Sequence, residues 1–368
     1  MKNAVLDILK LIHKKVSEGC RFQKEIIAPK DQYDQYLRVS MAHAFYPVIC
    51  EYIQLNQEDQ KKADLLEKVN LLKQKALYKE LGGLFHELNQ RTIPYVHIKG
   101  ITLAIAAYWK PGYRSFNDID LLIDKRDRKV LTEILQQHGF NQEKLTVDHN
   151  MVSYSNLDKM YYIVNTHQLA PFIKKTSNPL CPYISIDLNF SLLWGEEKNR
   201  KIDITSFIED RVPFTFYGSE FYILNPEKNL LQICLHAYKD LNSIFIMSVK
   251  NPYTIKTFHE IYLFIKNTVI DWNSFILLVK QNGLANFIYT IFYYLSELFE
   301  DRDIVCIAAR IKPEDSETIH TFGLTEEEKY FWNIDIKDRL CCENLSDKVQ
   351  SQLTEKHRKK LLHNHEHL

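Results

Sequence analysis

The stretch from Tyr95 to Asp124, YVHIKGITLAIAAYWKPGYRSFNDIDLLID, constrains this chain more than any other. It opens with a short β-like run, Tyr95 to Ile98, that stops at Lys99 and Gly100 and gives way to a helix-like run from Ile101 to Tyr108. The change of pattern predicts strand, glycine turn and helix. A glycine at such a turn lets backbone approach a ligand closely, and the free N–H groups that open the next helix favour an anion. Lys99 adds a full positive charge, so the turn reads as a site for nucleotide phosphates.

Asp118 and Asp120 head the apolar run Leu121 to Ile123, which has the composition of a buried strand. Two-residue periodicity puts both carboxylates on one face. Acids this close repel each other unless a cation lies between them, and hard oxygen ligands suit Mg²⁺. Arg114, in the loop PGYRSFN, offers a planar donor fork that matches phosphate oxygens. Further on, Ile184, Ile186, Leu188 and Phe190 alternate with Ser185, Asp187 and Asn189, so Asp187 points away from the core-facing side chains. Were that strand to lie beside Asp118 and Asp120 with polar faces matched, three carboxylates would meet.

Taken together, Lys99-Gly100, Tyr108, Arg114 and the Asp118-x-Asp120 pair before an apolar run resemble the uncharacterised nucleotidyltransferase family of the polymerase-β-like superfamily. The resemblance continues through the strand around Asp187, which matches the family's third-carboxylate strand, and through Leu224 to Glu227 with the helix Leu230 to Lys239. It spans roughly Leu72 to Phe299. The superfamily's usual Gly-Ser or Gly-Gly turn is Lys99-Gly100 here, and Asn189 stands where the family often has histidine. The resemblance implies Asp118, Asp120 and Asp187 as catalytic metal ligands, with Asp187 beside the attacking oxygen in the place of a general base. Lys99, Gly100 and Arg114 would bind the triphosphate. His236 and Lys239, at i and i+3 on one helix face, would contact the nucleotide. His149 is a weaker candidate, recommended only by a strand position near the site.

Lys plus Arg equals Asp plus Glu at 47 each, so the chain lacks the net basic field of a protein that binds long nucleic acids, although a local basic patch is compatible with that balance. No run approaches the roughly 18 apolar residues of a membrane span. Seven cysteines without regular spacing, no CxxC pair and no signal-like N-terminus predict a reduced, cytoplasmic protein with no membrane attachment. The histidine-rich end, His363 to His367, is assigned no function.

The expected fold is α+β: a polymerase-β-like nucleotidyltransferase core, a small mixed sheet with helices, over 91–225. N-terminal helices over 1–90 and a C-terminal helical bundle over 226–368 flank it. Helices are predicted from Val5 to Ile12, from Met41 to Ile53 and from Ala63 to Leu88. The last places Leu65, Leu66, Leu72, Leu77, Leu81, Leu84, Phe85 and Leu88 at three- and four-residue spacing. Two β-like runs around Asn156 to Asp158 suggest a hairpin, and further helices are expected after Thr325 and Ser346. The aromatic run Phe287 to Tyr294 reads as core. The expected function is Mg²⁺-dependent transfer of a nucleoside monophosphate from an NTP to a hydroxyl, with two metal ions or Mn²⁺ in their place. A small-molecule, peptide or protein acceptor is favoured over nucleic acid. A tRNA-modifying nucleotidyltransferase toxin and a non-catalytic nucleotide-binding scaffold are the alternatives.

Overall fold

The alternating residues around Asp120 and Asp187 build the middle of an eight-stranded mixed sheet. It is seen in a computed structural model that describes residues 2–367 except 117, 147, 149, 195, 196, 198 and 199, with no side chains beyond 362. The strands are β1 (Tyr95–Ile98), β2 (Asp118–Ile123), β3 (Asn141–Leu145), β4 (Met151–Ser153), β5 (Phe172–Lys175), β6 (Tyr183–Asn189), β7 (Val212–Phe216) and β8 (Ser219–Ile223). Their spatial order is β4-β3-β5-β6-β2-β1-β8-β7. The pairs β2·β6 and β1·β8 are parallel and the remaining neighbours antiparallel.

The chain begins with α1 (Lys2–Glu18), α2 (Lys30–Ala42) and α3 (Tyr46–Ile49), then the long α4 (Gln57–Gln90). Within the sheet region come α5 (Gly100–Ala106), α6 (Arg128–Gln137), α7 (Asn156–Asn165) and α8 (Ile204–Glu209), and α9 (Pro226–Asn242) follows the last strand. The chain divides into two units. Met1–Glu67, Ala106–Tyr108 and Ile233–His365 form a helical unit, and Lys68–Ile105 with Trp109–Gln232 form the sheet unit.

In the sheet unit one face of the sheet is the core. Ile119, Leu121 and Ile123 of β2 lie beside Ile184, Ile186 and Leu188 of β6, against Leu77, Tyr78, Leu81, Leu84, Phe85 and Leu88 of α4 and Leu131, Ile134 and Leu135 of α6. Fully burying one such aliphatic side chain contributes roughly 1.5–3 kcal/mol. This strip fixes the register, because a one-residue slip would turn every carboxylate of the opposite face inward. In the helical unit the aromatic run is core as expected: Phe292 and Tyr294 are fully buried, and Phe287 and Tyr289 nearly so.

Four expectations are corrected. Met41 to Ile53 is not one helix: α2 ends at Ala42, Ala44 takes a left-handed φ of 51°, and the short α3 carries Pro47 in its first turn. Leu65, Leu66 and Leu72 do not join the buried stripe of α4 but are exposed at 61, 42 and 47%. The run after Asn156 is α7 rather than a strand. Ser155 caps it through a capping box with Asp158, and those hydrogen bonds outweigh the β propensity of its aromatic and branched residues. After Thr325 comes a single 3₁₀ turn and the short strand Tyr330–Phe331, which pairs with Thr321–Phe322 in place of a helix.

Candidate active site

At the end of β1 the chain reverses through two consecutive left-handed residues, Lys99 at φ 58° and Gly100 at φ 36°. Position 100 needs glycine for this conformation, and its α-carbon faces the Phe116 ring, which would lie 3.7 Å from an added Cβ. Lys99 adopts the left-handed region at a steric cost, a form of strain that clusters at ligand sites. Its carbonyl accepts from the Thr102 N–H at 2.9 Å and the Thr102 hydroxyl at 2.5 Å, which secures the turn into α5.

The acids follow from the pairing of β2 with β6. Asp118 is the Cα partner of Ser185, Asp120 of Asp187, and Leu122 of Asn189. Side chains that alternate along two parallel strands in this register place Asp118, Asp120, Ser185, Asp187 and Asn189 on the face opposite the core. Asp118 is exposed at the head of β2, whereas Asp120 is buried at 7% exposure. The Lys99 ammonium donates to Asp120 Oδ1 at 2.9 Å, and the Asn189 amide donates to the same oxygen at 3.3 Å. Asn189 therefore takes part in the site by orienting Asp120. Its spacing two residues after Asp187 was the signal for that role.

Arg114 is held from two sides. Its guanidinium donates to the Gly100 carbonyl at 3.2 Å and lies 5.9 Å over the Phe116 ring. The Gln74 amide of α4 donates to the carbonyls of Pro111 and Arg114 at 2.9 and 2.8 Å, and Asn70 donates to that of Gly112 at 3.0 Å. The loop is thereby fastened both to α4 and to the Lys99 turn.

Electrostatics mark the surroundings of the acids. Burial of His97, one strand residue before Ile98, holds its imidazole down to about 3 against the opposing charge of Asp120. The phenols of Tyr154 and Tyr162, whose hydroxyls stand 3.5 Å apart, are raised by burial, and the charge of Asp187 adds to the effect. These two tyrosines were not anticipated, since one precedes and one lies within the helix misread as a hairpin.

His236 and Lys239 belong to the helical unit, on α9, where both face Asp240: His236 Nε2 lies 3.6 Å from Oδ2 and Lys239 Nζ 3.6 Å from Oδ1. Tyr108 also falls in that unit, its hydroxyl 3.4 Å from both Glu260 Oε1 and His259 Nδ1. His149 lies outside the described residues.

Among the described residues no three His, Cys, Asp or Glu side chains gather closely enough to hold a metal ion. A cation already faces Asp120, the Lys99 ammonium at 2.9 Å. The donor set itself, carboxylates on adjacent strands with an amide beside them, has the hard-oxygen chemistry of a Mg²⁺ site. Closing around a metal would require Lys99 to leave Asp120.

The family that goes with this sheet, turn and pair of acids is given by the sequence comparison. The uncharacterised nucleotidyltransferase family model matches residues 29–300, and the chain belongs to that family. A crystal structure of an antigenic nucleotidyltransferase-like protein from Paracoccidioides brasiliensis is similar at 17% identity and a TM-score of 0.37, covering 66% of this chain and 96% of that one. No curated protein matches the chain significantly.

Proposed function

We propose that the sheet unit is a polymerase-β-like core that transfers a nucleoside monophosphate from an NTP to an acceptor hydroxyl, the new O–P bond forming as the α–β phosphoanhydride breaks and pyrophosphate leaves. The observation that carries this reading is the register of β2 and β6, which pairs Asp120 with Asp187 and leaves Asp118 exposed on the same face. Asp118, Asp120 and Asp187 would hold Mg²⁺, two ions or Mn²⁺ in their place. Bound there, the metal supplies charge for the triphosphate and acidifies the acceptor hydroxyl. Asp187 accepts the proton of the attacking hydroxyl. The Lys99 ammonium turns from Asp120 to the triphosphate, the Gly100 turn lets backbone N–H groups come close, and the Arg114 fork binds phosphate oxygens. Asn189 keeps Asp120 oriented throughout. All seven cysteines are free thiols, which suits a cytoplasmic setting, and no helix among the described residues is long and apolar enough to cross a membrane.

One observation favours a second reading, a nucleotide-binding scaffold without turnover: the charge of Asp120 is already met by Lys99, and among the described residues no three-residue metal cluster is formed. Incubation of the protein and a cell extract with α-phosphate-labelled NTPs and Mg²⁺ separates the two. Transfer of label into a product, lost in Asp118→Asn and Asp120→Asn, is expected. Absence of any labelled product despite NTP binding would leave the scaffold.

A further inference from the structure

The identity of the acceptor is written in part on α4. From Lys68 to Lys79 this helix carries four lysines, Lys68, Lys73, Lys75 and Lys79, and no acid. All four are exposed. About half of the other described lysines face carboxylates, as Lys62 does Glu58 at 2.8 Å, Lys228 does Asp210 at 2.6 Å and Lys266 does Asp301 at 2.8 Å. Among the described residues the four on α4, and Lys110 beside them, make no ion pair. In a chain with equal numbers of acids and bases this is a local concentration of uncompensated charge.

At about 100° per residue Lys68, Lys75 and Lys79 share one face of α4 and Lys73 lies on its edge, and face and edge each have aromatic side chains near them. Lys75 Nζ lies 4.8 Å over the Tyr217 ring, and Tyr217 is 44% exposed. Beside the loop that Asn70 and Gln74 fasten, Trp109 is 45% exposed and Lys110 lies 5.3 Å over Tyr113. A pocket of about 250 Å³ is lined by Lys73, Leu77, Phe116, Leu180, Cys181 and Tyr183. Phe116 is a shared wall: it lines this pocket, packs on the Gly100 turn and lies under the Arg114 guanidinium. The pocket thus adjoins the proposed phosphate turn, and the helix that bears the lysines is the one that fastens the Arg114 loop through Asn70 and Gln74.

We infer that the Lys68–Lys79 segment of α4 is a docking surface for a single-stranded nucleic acid, whose phosphates follow Lys68, Lys75 and Lys79 and one of whose bases enters the Phe116–Tyr183 pocket beside Lys73. Exposed rings beside unpaired ammonium groups are the pattern that binds unpaired bases and backbone together. A lipid surface would engage charges and interfacial rings alike but offers no planar base to fill the pocket beside Phe116. Eleven helical steps span about 16 Å, the length of four or five stacked nucleotides. As a binding surface this stands by itself. As the path of an acceptor strand to the active site it rests on the transfer reading.

The test is fluorescence anisotropy of a labelled twelve-nucleotide RNA with the full chain. Four lysine contacts predict a log–log salt slope near −3, so that affinity falls about fifty-fold between 50 and 200 mM salt. Replacing Lys68, Lys73, Lys75 and Lys79 by Gln should weaken binding at least tenfold at 50 mM salt and flatten the slope. The same exchange at Lys129, Lys159, Lys175 and Lys201 of the same unit should change affinity less than twofold. No RNA binding at 50 mM salt, equal losses in both variants, or binding to phosphatidylserine vesicles that RNA fails to displace would overturn the inference. Asp118→Asn tells its failure from that of the transfer reading, because RNA binding should survive in that variant while nucleotide-dependent behaviour is lost.

Discussion

At the scale of single residues the account turns on Lys99. Its ammonium neutralises Asp120 from a strained backbone position, and the same group is assigned to the triphosphate. Replacing it with Met removes a charge-assisted hydrogen bond from a carboxylate that is nearly buried, at a cost of about 2 kcal/mol. The sign of the metal effect then separates roles. In Lys99→Met, Mg²⁺ alone should raise the melting temperature more than in the native chain, because the carboxylate has lost its resident cation. Nucleotide affinity should fall. Equal Mg²⁺ shifts in both proteins would mean that Lys99 and the metal do not share Asp120. The acids were legible in the sequence because a two-residue period fixes which face a strand side chain takes. Their partner was not, because β2 and β6 are separated by five other elements, α6, β3, β4, α7 and β5, and long-range pairing leaves no local mark. The left-handed φ at Lys99 was equally hidden, since nothing in a lysine announces it.

At the scale of elements, α4 shows what periodicity can and cannot reveal. The spacing from Leu77 to Leu88 becomes the core stripe, whereas Leu65, Leu66 and Leu72 keep the same spacing and stay exposed. Spacing identifies a helix, and only its neighbours decide which face is covered. The glycine pair in the middle makes this testable. A Cβ at Gly82 would come within 3.2 Å of Ser219 Oγ, which donates to the Tyr78 carbonyl, while one at Gly83 meets only His138 Cε1 at 3.8 Å. Gly83→Ala should therefore stabilise the sheet unit by up to about 1 kcal/mol through helix propensity. Gly82→Ala should gain less or lose, and chemical denaturation of the two variants reads the difference. Equal gains would mean that β8 tolerates a closer approach to α4. Helix α7 was misread for a related reason: Tyr161, Tyr162, Ile163 and Val164 favour strands, yet Ser155 and Asp158 supply a start signal that local hydrogen bonding makes decisive.

At the scale of the whole molecule the two units share a dependence on pH. Burial holds His43 down to about 4 and His259 to about 3 in the helical unit, and His97 to about 3 in the sheet unit. A histidine whose folded value lies below its unfolded value near 6.5 is neutral in both states above that pH and costs nothing there. As pH falls below 6.5 the unfolded chain takes up the proton and the folded chain does not, so stability is lost down to the folded value. By pH 5 each histidine should cost about 2 kcal/mol, roughly 4 kcal/mol in the helical unit and 2 kcal/mol in the sheet unit. Melting temperatures between pH 7 and 5 should fall accordingly, and a flat profile would contradict the burial of these rings. The division into units was only partly legible, because Ala106–Tyr108 joins the helical unit from within the sheet region through tertiary hydrogen bonds such as Asn267 to the Ala107 carbonyl at 3.0 Å.

The central claim, that Asp118, Asp120 and Asp187 hold a metal–nucleotide complex, is tested most directly by thermal stability with each NTP plus Mg²⁺. Saturating nucleotide at a hundred times its dissociation constant should stabilise the native chain by about 2.7 kcal/mol. The account predicts a Mg²⁺-dependent shift that disappears in Asp118→Asn and Asp120→Asn and is largest for one base. No shift with any NTP in a folded protein, or a shift that both variants retain, would contradict it.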